Sequence, residues 1–170
     1  MKIDIRGLSE DQIIEFFEKK GFDPYRGRQV YEWIWKKSCY SFDEMTNISK
    51  DLRDVLDNHF VINHIQVDNI QKSFDGTIKN AVKLHDDHTV ESVLIPTDDR
   101  TTACVSSQVG CSLDCKFCAT SKLKRMRNLN PDEIYDQVVT INNQSLKYFN
   151  RPLSNIVYMG MGEPLMNYNN

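Results

Sequence analysis

Between residues 9 and 58 the apolar positions recur three and four apart, and from about residue 61 they alternate with polar ones. The first spacing is that of helices with one buried face, the second that of strands with one buried face. In LSEDQIIEFFEKKG, Ile13, Ile14, Phe16 and Phe17 make the apolar face, with Ser9 placed to cap the start and Gly21 the end. RGRQVYEWIWKK, with Val30, Trp33, Ile34 and a basic end, predicts a second helix. ISKDLRDVLDNHF, with Leu52, Val55, Leu56 and Phe60, predicts a third. Residues 1–60 thus read as a small helical module.

The alternating segment, residues 61–100, predicts a β-hairpin adaptor. Asp75-Gly76 is a strong hairpin turn, DDHT a second turn and VESVLI a third strand. A loop over residues 96–100 leads into TTACVSSQV, read as one further strand. NLNPDEIYDQVVTINNQSLKYF predicts a helix, with Asn130 as N-cap, Pro131 at the first position and Ile134, Val138, Val139 and Ile141 turned to the core. SNIVYMGMGEP then reads as a buried strand running into a glycine-rich loop. Strand, loop, helix, strand is a βαβ unit and implies a parallel sheet over residues 101–170. The fold class expected is α+β followed by α/β.

Composition narrows the setting. At 40% hydrophobic and 26% charged residues, the chain reads as soluble and globular. No apolar run approaches the ~18 residues of a membrane span, and MKIDIRGLSEDQ lacks the apolar region of a secretory signal. Four of the five cysteines fall within residues 104–118, a pattern for metal or redox chemistry in a reduced cytoplasm and not for an extracellular disulfide framework. The net charge of −3 leaves any nucleic-acid contact to local basic patches.

The chemistry concentrates in CSLDCKFCAT, where Cys111, Cys115 and Cys118 lie within eight residues and no fourth thiol follows. Three thiolates hold three irons of a [4Fe-4S] cluster and leave the fourth open to a ligand. Two alternatives stand beside this: zinc completed by a remote histidine (His59, His64, His85 or His88), or thiols that serve packing or redox.

CxxxCxxC, with Phe117 before the last cysteine and GMGEP one βα unit later, resembles the radical S-adenosylmethionine (SAM) superfamily. That resemblance implies a cluster whose free iron is chelated by SAM, and one-electron cleavage of SAM to a 5′-deoxyadenosyl radical. Phe117, Gly162, Glu163 and Pro164 fall at SAM-contacting positions; Gly162 would let the backbone approach closely, and Glu163 would accept from the ammonium group of SAM.

The longer strings CVSSQVGCSLDCKFCAT and MGMGEPLMN, with YRGRQVYEWIWKK and VESVLIP before them, resemble RlmN/Cfr-type rRNA methyltransferases over essentially all 170 residues. SSQVGC and GEPLMN lean to the RlmN branch, which acts at C2 of an adenosine in 23S rRNA and on certain tRNAs; the Cfr branch acts at C8. The resemblance implies cluster ligands Cys111, Cys115 and Cys118, a general base at Glu91, and a thiol at Cys104 that resolves a protein–RNA crosslink together with a downstream cysteine, with a disulfide bond among the expected features. It further implies an external electron donor such as a flavodoxin, no membrane partner, and a monomer when complete.

An RNA-facing surface is expected at KLKRMRN, residues 122–128, whose four cations follow the cysteine loop, and less clearly at Arg26, Arg28, Lys36 and Lys37 around Trp33 and Trp35, one of which should be core. Cys39 is assigned to packing. Residues 101–170 have room for only the first βαβ of an incomplete radical SAM (β/α) barrel, and no candidate for the methyl-carrying cysteine is present. The chain therefore reads as the amino-terminal half of such an enzyme or as a degenerate copy, expected not to methylate RNA alone. The alternative function is a non-catalytic RNA-binding module with a vestigial or zinc-binding loop.

Overall fold

The structure, a computed structural model, describes residues 2–170 and divides after Asn63 into two compact units. In the first, β1 (Ile3–Asp4) precedes α1 (Glu10–Lys19), α2 (Pro24–Trp35) and α3 (Lys50–His59), and β2 (Phe60–Val61) returns parallel to β1. Ser9 and Gln12 cap α1 reciprocally, each side chain bonding the other's backbone N–H. The Asp23 carboxylate accepts from Tyr25 N at 2.8 Å and starts α2, with Pro24 in its first turn. Ile5, Ile13, Phe17, Val30, Ile34, Met45 and Leu56 fill the core between the helices.

α1 and α2 meet backbone to backbone at one point. A Cβ on Gly27 would lie 2.8 Å from Ile14 Cα, so only glycine permits this approach. Gly27→Ala is expected to lower the stability of this unit by about 1–3 kcal/mol, the usual cost of overpacking. The two tryptophans belong to this unit, so their fluorescence in a urea titration reads the change. Neither tryptophan is fully buried. Trp33 and Trp35 both pack partly against the core, and Lys37 Nζ sits 3.7 Å from the centre of the Trp33 ring. Cys39 is buried in the same core, and that burial pushes its thiol up to about 11.

The second unit is built on one five-stranded sheet. Its strands are β3 (Gln66–Lys72), β4 (Ile78–Lys83), β5 (Thr89–Pro96) and β6 (Thr101–Cys104), all antiparallel neighbours. The β3–β4 turn places Gly76 at φ 87°, where its lack of a Cβ is needed. After β6 come two short strands, β7 (Gln108–Val109) and β8 (Arg127–Asn128), paired with each other and bracketing the cysteine loop. α4 (Pro131–Phe149) then crosses back, and β9 (Asn155–Val157) joins the sheet parallel to β6. The hairpin segment and the βαβ unit, separated at residue 100 in the sequence reading, share this single sheet in the order β3-β4-β5-β6-β9.

Three expectations need correction. TTACVSSQV is not one strand: it is interrupted between Cys104 and Gln108, because Ser106 N bonds the side chain of Gln137 (2.9 Å) instead of a neighbouring strand. The buried face of α4 is largely polar, carrying Glu133, Asp136, Gln137, Gln144 and Ser145 besides Ile134 and Ile141, while Val138 and Val139 are only half-buried. β9, read as a buried strand, lies at the edge of the sheet with Asn155 and Ile156 exposed.

Candidate functional site

The cysteine loop springs from β7 and returns through a 3-10 turn, Ala119–Lys122, to β8. Gly110, just before Cys111, has φ 73°, and a Cβ there would meet Lys124 O at 2.3 Å; the two stems of the loop pinch together at this point. Cys118 N donates to Cys115 O at 3.0 Å, and Ser121 Oγ donates to the carbonyls of both Cys115 (2.9 Å) and Cys118 (2.6 Å). The backbone N–H groups of Ser121 and Thr120 hold the Cys118 thiol below its ordinary value, which favours the thiolate a metal requires. All three thiols of the loop are partly accessible, and the Phe117 ring is 94% exposed beside them. Among the described residues no three His, Cys, Asp or Glu side chains already stand together as a metal site.

The glycine-rich loop lies against the segment that precedes the cysteines. Ser107 N donates to Met161 O at 2.9 Å, Gly160 N to Val105 O at 3.1 Å, and Met161 N to Ser106 Oγ at 2.8 Å. Ser106 Oγ itself donates to the carbonyl of Glu91. At Gly160 a Cβ would lie 2.7 Å from Val105 O; at Gly162, where φ is 94°, it would lie 2.5 Å from Gln108 Cβ. These glycines are therefore required by packing within the chain, a reason absent from the sequence reading. One oxygen of Glu163 accepts from Leu165 N (3.0 Å) and caps the 3-10 turn Pro164–Asn167. Pro164 lines a cavity of ≈ 180 Å³ with Ser107, Ile134, Tyr158 and Asn167.

Strand register places the remaining two candidates. Cys104 on β6 is opposite Val93 on β5, and Glu91 is two residues from Val93, so Glu91 and Cys104 share one face of the sheet. Ala81, opposite Glu91, puts Lys79 on that face too, and Lys79 Nζ pairs with Glu91 at 2.9 Å. Cys104 is buried, which pushes its thiol up and keeps it protonated at neutral pH. All five cysteines are free thiols. The disulfide implied by resemblance is thus not formed within this chain.

The basic stretch after the loop divides. Lys122, Lys124 and Arg125 are exposed, whereas Arg127 turns inward. Its guanidinium grips both oxygens of buried Glu133 (2.7 and 2.8 Å) and Asp86 Oδ2 (2.6 Å). One of the four cations expected to face RNA therefore serves as an internal clamp. The histidines of this unit are also engaged: His64, His85 and His88 each bring Nδ1 within 3.4 Å of a carboxylate oxygen, on Asp136, Glu133 and Asp86. Sequence reasoning missed Ser106, Gln108, Asn128 and Glu133. Ser106 and Gln108 lie in the SSQ of CVSSQVGC, a segment whose pattern predicts strand and gives no sign of their side-chain bonds.

Comparison with known proteins fits this arrangement. The family of the ribosomal RNA large subunit methyltransferase N-terminal domain matches residues 3–62, and the radical SAM superfamily matches residues 105–170. Over 169 residues the chain is 72% identical to a probable dual-specificity RNA methyltransferase RlmN of Christiangramia forsetii, covering 99% of this chain and 48% of that protein. The chain is similar to RlmN proteins along nearly its whole length. An RlmN protein of Desulfotalea psychrophila is 42% identical over 99% of the chain and 48% of its own length. A radical SAM methyltransferase from Sphaerobacter thermophilus superposes with a TM-score of 0.83 at 36% identity, over 98% of this chain and 49% of that one. The chain spans about half the length of the curated RlmN relatives it matches. The family implies a [4Fe-4S] cluster and SAM. The donor set fits: three accessible thiols on one loop, one of them biased to the thiolate, with the glycine-rich loop fastened to the loop's root.

Proposed function

We propose that this chain forms the cluster- and SAM-binding half of an RNA methyltransferase acting on C2 of an adenosine in 23S rRNA, and on tRNA. The observation that carries the proposal is the fastening of the glycine-rich loop to the root of the cysteine loop through Ser106, Ser107 and Gln108. Cys111, Cys115 and Cys118 would hold the cluster. Glu163, with one oxygen spent on Leu165 N, would offer the other to the ammonium group of SAM. When bound, this pair supplies a carbon radical able to abstract hydrogen.

The remaining roles belong to the sheet face. Glu91, half-exposed and paired with Lys79, would act as the base. Cys104, protonated at rest because it is buried, would act as a nucleophilic thiolate only after giving up its proton, and it shares a face with Glu91. Phe117 and Pro164 would flank SAM. Lys122, Lys124 and Arg125 would meet RNA phosphates beside the chemistry. A flavodoxin-like donor would supply electrons in the cytoplasm.

The experiment is anaerobic reconstitution, followed by metal analysis and SAM calorimetry. About four irons per chain are expected, and stoichiometric zinc would overturn the reading. Glu163→Gln should weaken SAM binding by about 1.5–3 kcal/mol, the scale of a hydrogen bond to a charged group. An rRNA fragment treated with this chain, SAM and reductant should gain no 2-methyladenosine, whereas a full-length RlmN relative run beside it should form it; methylation by the chain alone would overturn the reading.

A further inference from the structure

Gln108 is fully buried, and every polar atom of its side chain is used. Its Oε1 accepts from Glu163 N at 3.0 Å, a contact spanning 55 residues. Its Nε2 donates to Asn128 Oδ1 at 2.8 Å, on the strand that closes the cysteine loop. Its backbone N donates to Met161 O at 3.2 Å, and its Cβ and Cγ occupy the space that a side chain at position 162 would need. Asn128 continues the tie: its Nδ2 donates to Met166 O at 3.2 Å, just beyond Glu163.

We infer that Gln108 is a positioning residue that sets the distance between the cysteine loop and Glu163. The inference rests on the function proposed above, in which the cysteines hold the cluster and Glu163 meets SAM. Chemistry selects the residue type. The strut needs an acceptor at one terminal atom for the Glu163 N–H and a donor at the other for Asn128 Oδ1, without charge in a buried place, and a side-chain amide supplies both. Glutamine reaches across because β7 lies directly under the glycine-rich loop, where Gly162 lets the two backbones close. Without the amide, Glu163 would keep its carboxylate but lose the fixed backbone that aims it. Ser106 fastens Met161, and Ser107 is bonded there as well, so the loop stays attached when Gln108 changes; what is lost is placement at its Glu163 end.

The test uses Gln108→Met, which keeps length and volume and removes both hydrogen bonds. The chain and the variant are reconstituted with iron and sulfide, and the spectrum of the reduced cluster is followed by electron paramagnetic resonance during titration with SAM. The inference expects equal iron content, equal spectra without SAM, and an apparent SAM affinity lowered about tenfold in the variant, the effect of lost hydrogen bonds at a partly buried site. A role confined to stability would lower iron loading and leave the affinity of loaded molecules unchanged; that result overturns the inference. If Gln108→Met does not take up iron, Asn128→Ala releases the far end of the strut while leaving Gln108 in place, and should weaken SAM about threefold; unchanged affinity there overturns the inference too. Failure of the unsubstituted chain to respond to SAM would overturn the functional reading and the strut with it. A full response by both the chain and Gln108→Met would overturn the strut alone.

Discussion

Replacement of Cys111, Cys115 or Cys118 by Ala, one at a time, is expected to abolish the brown chromophore of the reconstituted protein. The reason is the supply of thiols. Cys39 is sealed in the core of the helical unit with its thiol pushed up to about 11, and Cys104 is buried on the sheet with its thiol also raised. Both therefore resist the deprotonation that metal ligation demands. Cys118 lies at the opposite extreme, held low by two backbone N–H groups on an accessible loop. No histidine is gathered with these thiols: among the described residues no three His, Cys, Asp or Glu side chains stand together as a metal site. Iron and sulfide analysis, with the visible spectrum, provides the measurement. Cys39→Ala should leave iron content unchanged; loss of iron there as complete as in the loop variants would show the ligands to be assigned wrongly.

Arg127→Met should destabilise the sheet-bearing unit by about 3 kcal/mol. Breaking a buried ion pair from one side leaves the other charge without compensation, at a cost of about 3–5 kcal/mol. Here the abandoned partner is Glu133, only 3% exposed, whose two oxygens both accept from Arg127. The lower end of the range applies because Asn130 N still donates to Glu133 Oε2 at 2.9 Å. Since both tryptophans are in the first unit, circular dichroism of the sheet during urea unfolding is the suitable probe. The same clamp sets an acid limit. Hydrogen bonding to Arg127 holds the Asp86 carboxyl well below the usual carboxylate range. A depressed pKa contributes stability that is present above the unfolded value, about 3.9, and is lost as pH falls below it. The unit should thus hold its stability to about pH 4 and lose it steeply below, with a shallower acid slope in Arg127→Met. An acid slope unchanged by the substitution would refute this role for the clamp.

The legible parts of the sequence were those whose causes are local. Ser9 before the first apolar turn, the Asp75-Gly76 turn and Pro131 after Asn130 each announce an element through residues within three or four positions. The cysteine loop was legible because three thiols fall on eight consecutive residues. The family strings extended this to Glu91 and Cys104, which register then put on one face. Gln108 stayed hidden because its partners are 20 and 55 residues away and no periodicity marks them. Arg127 was misread for a related cause: a run of cations looks alike whether each faces water or, as here, one turns in to a carboxylate six residues on. The face of α4 was misjudged because amides bonded to other amides are buried without being apolar, which hydrophobic spacing does not register.

That polar face has a consequence for assembly. Gln144 and Asn80 exchange hydrogen bonds at 3.0 and 2.6 Å, and Gln137 bonds both the N–H (2.9 Å) and the carbonyl (3.2 Å) of Ser106. A greasy helix can slide along a sheet by a turn, about 5.4 Å, and recover most of its contacts. This one cannot. Displacement by one turn would leave two amides and the Ser106 backbone groups dry and unbonded, each costing about 1–3 kcal/mol. α4 is the covalent link between the strand that ends in the cysteine loop and the strand that ends in the glycine-rich loop. Its side-chain amides act as a vernier, admitting one seating of the helix and so one offset between the two loops, fixed while the protein folds and before any ligand arrives.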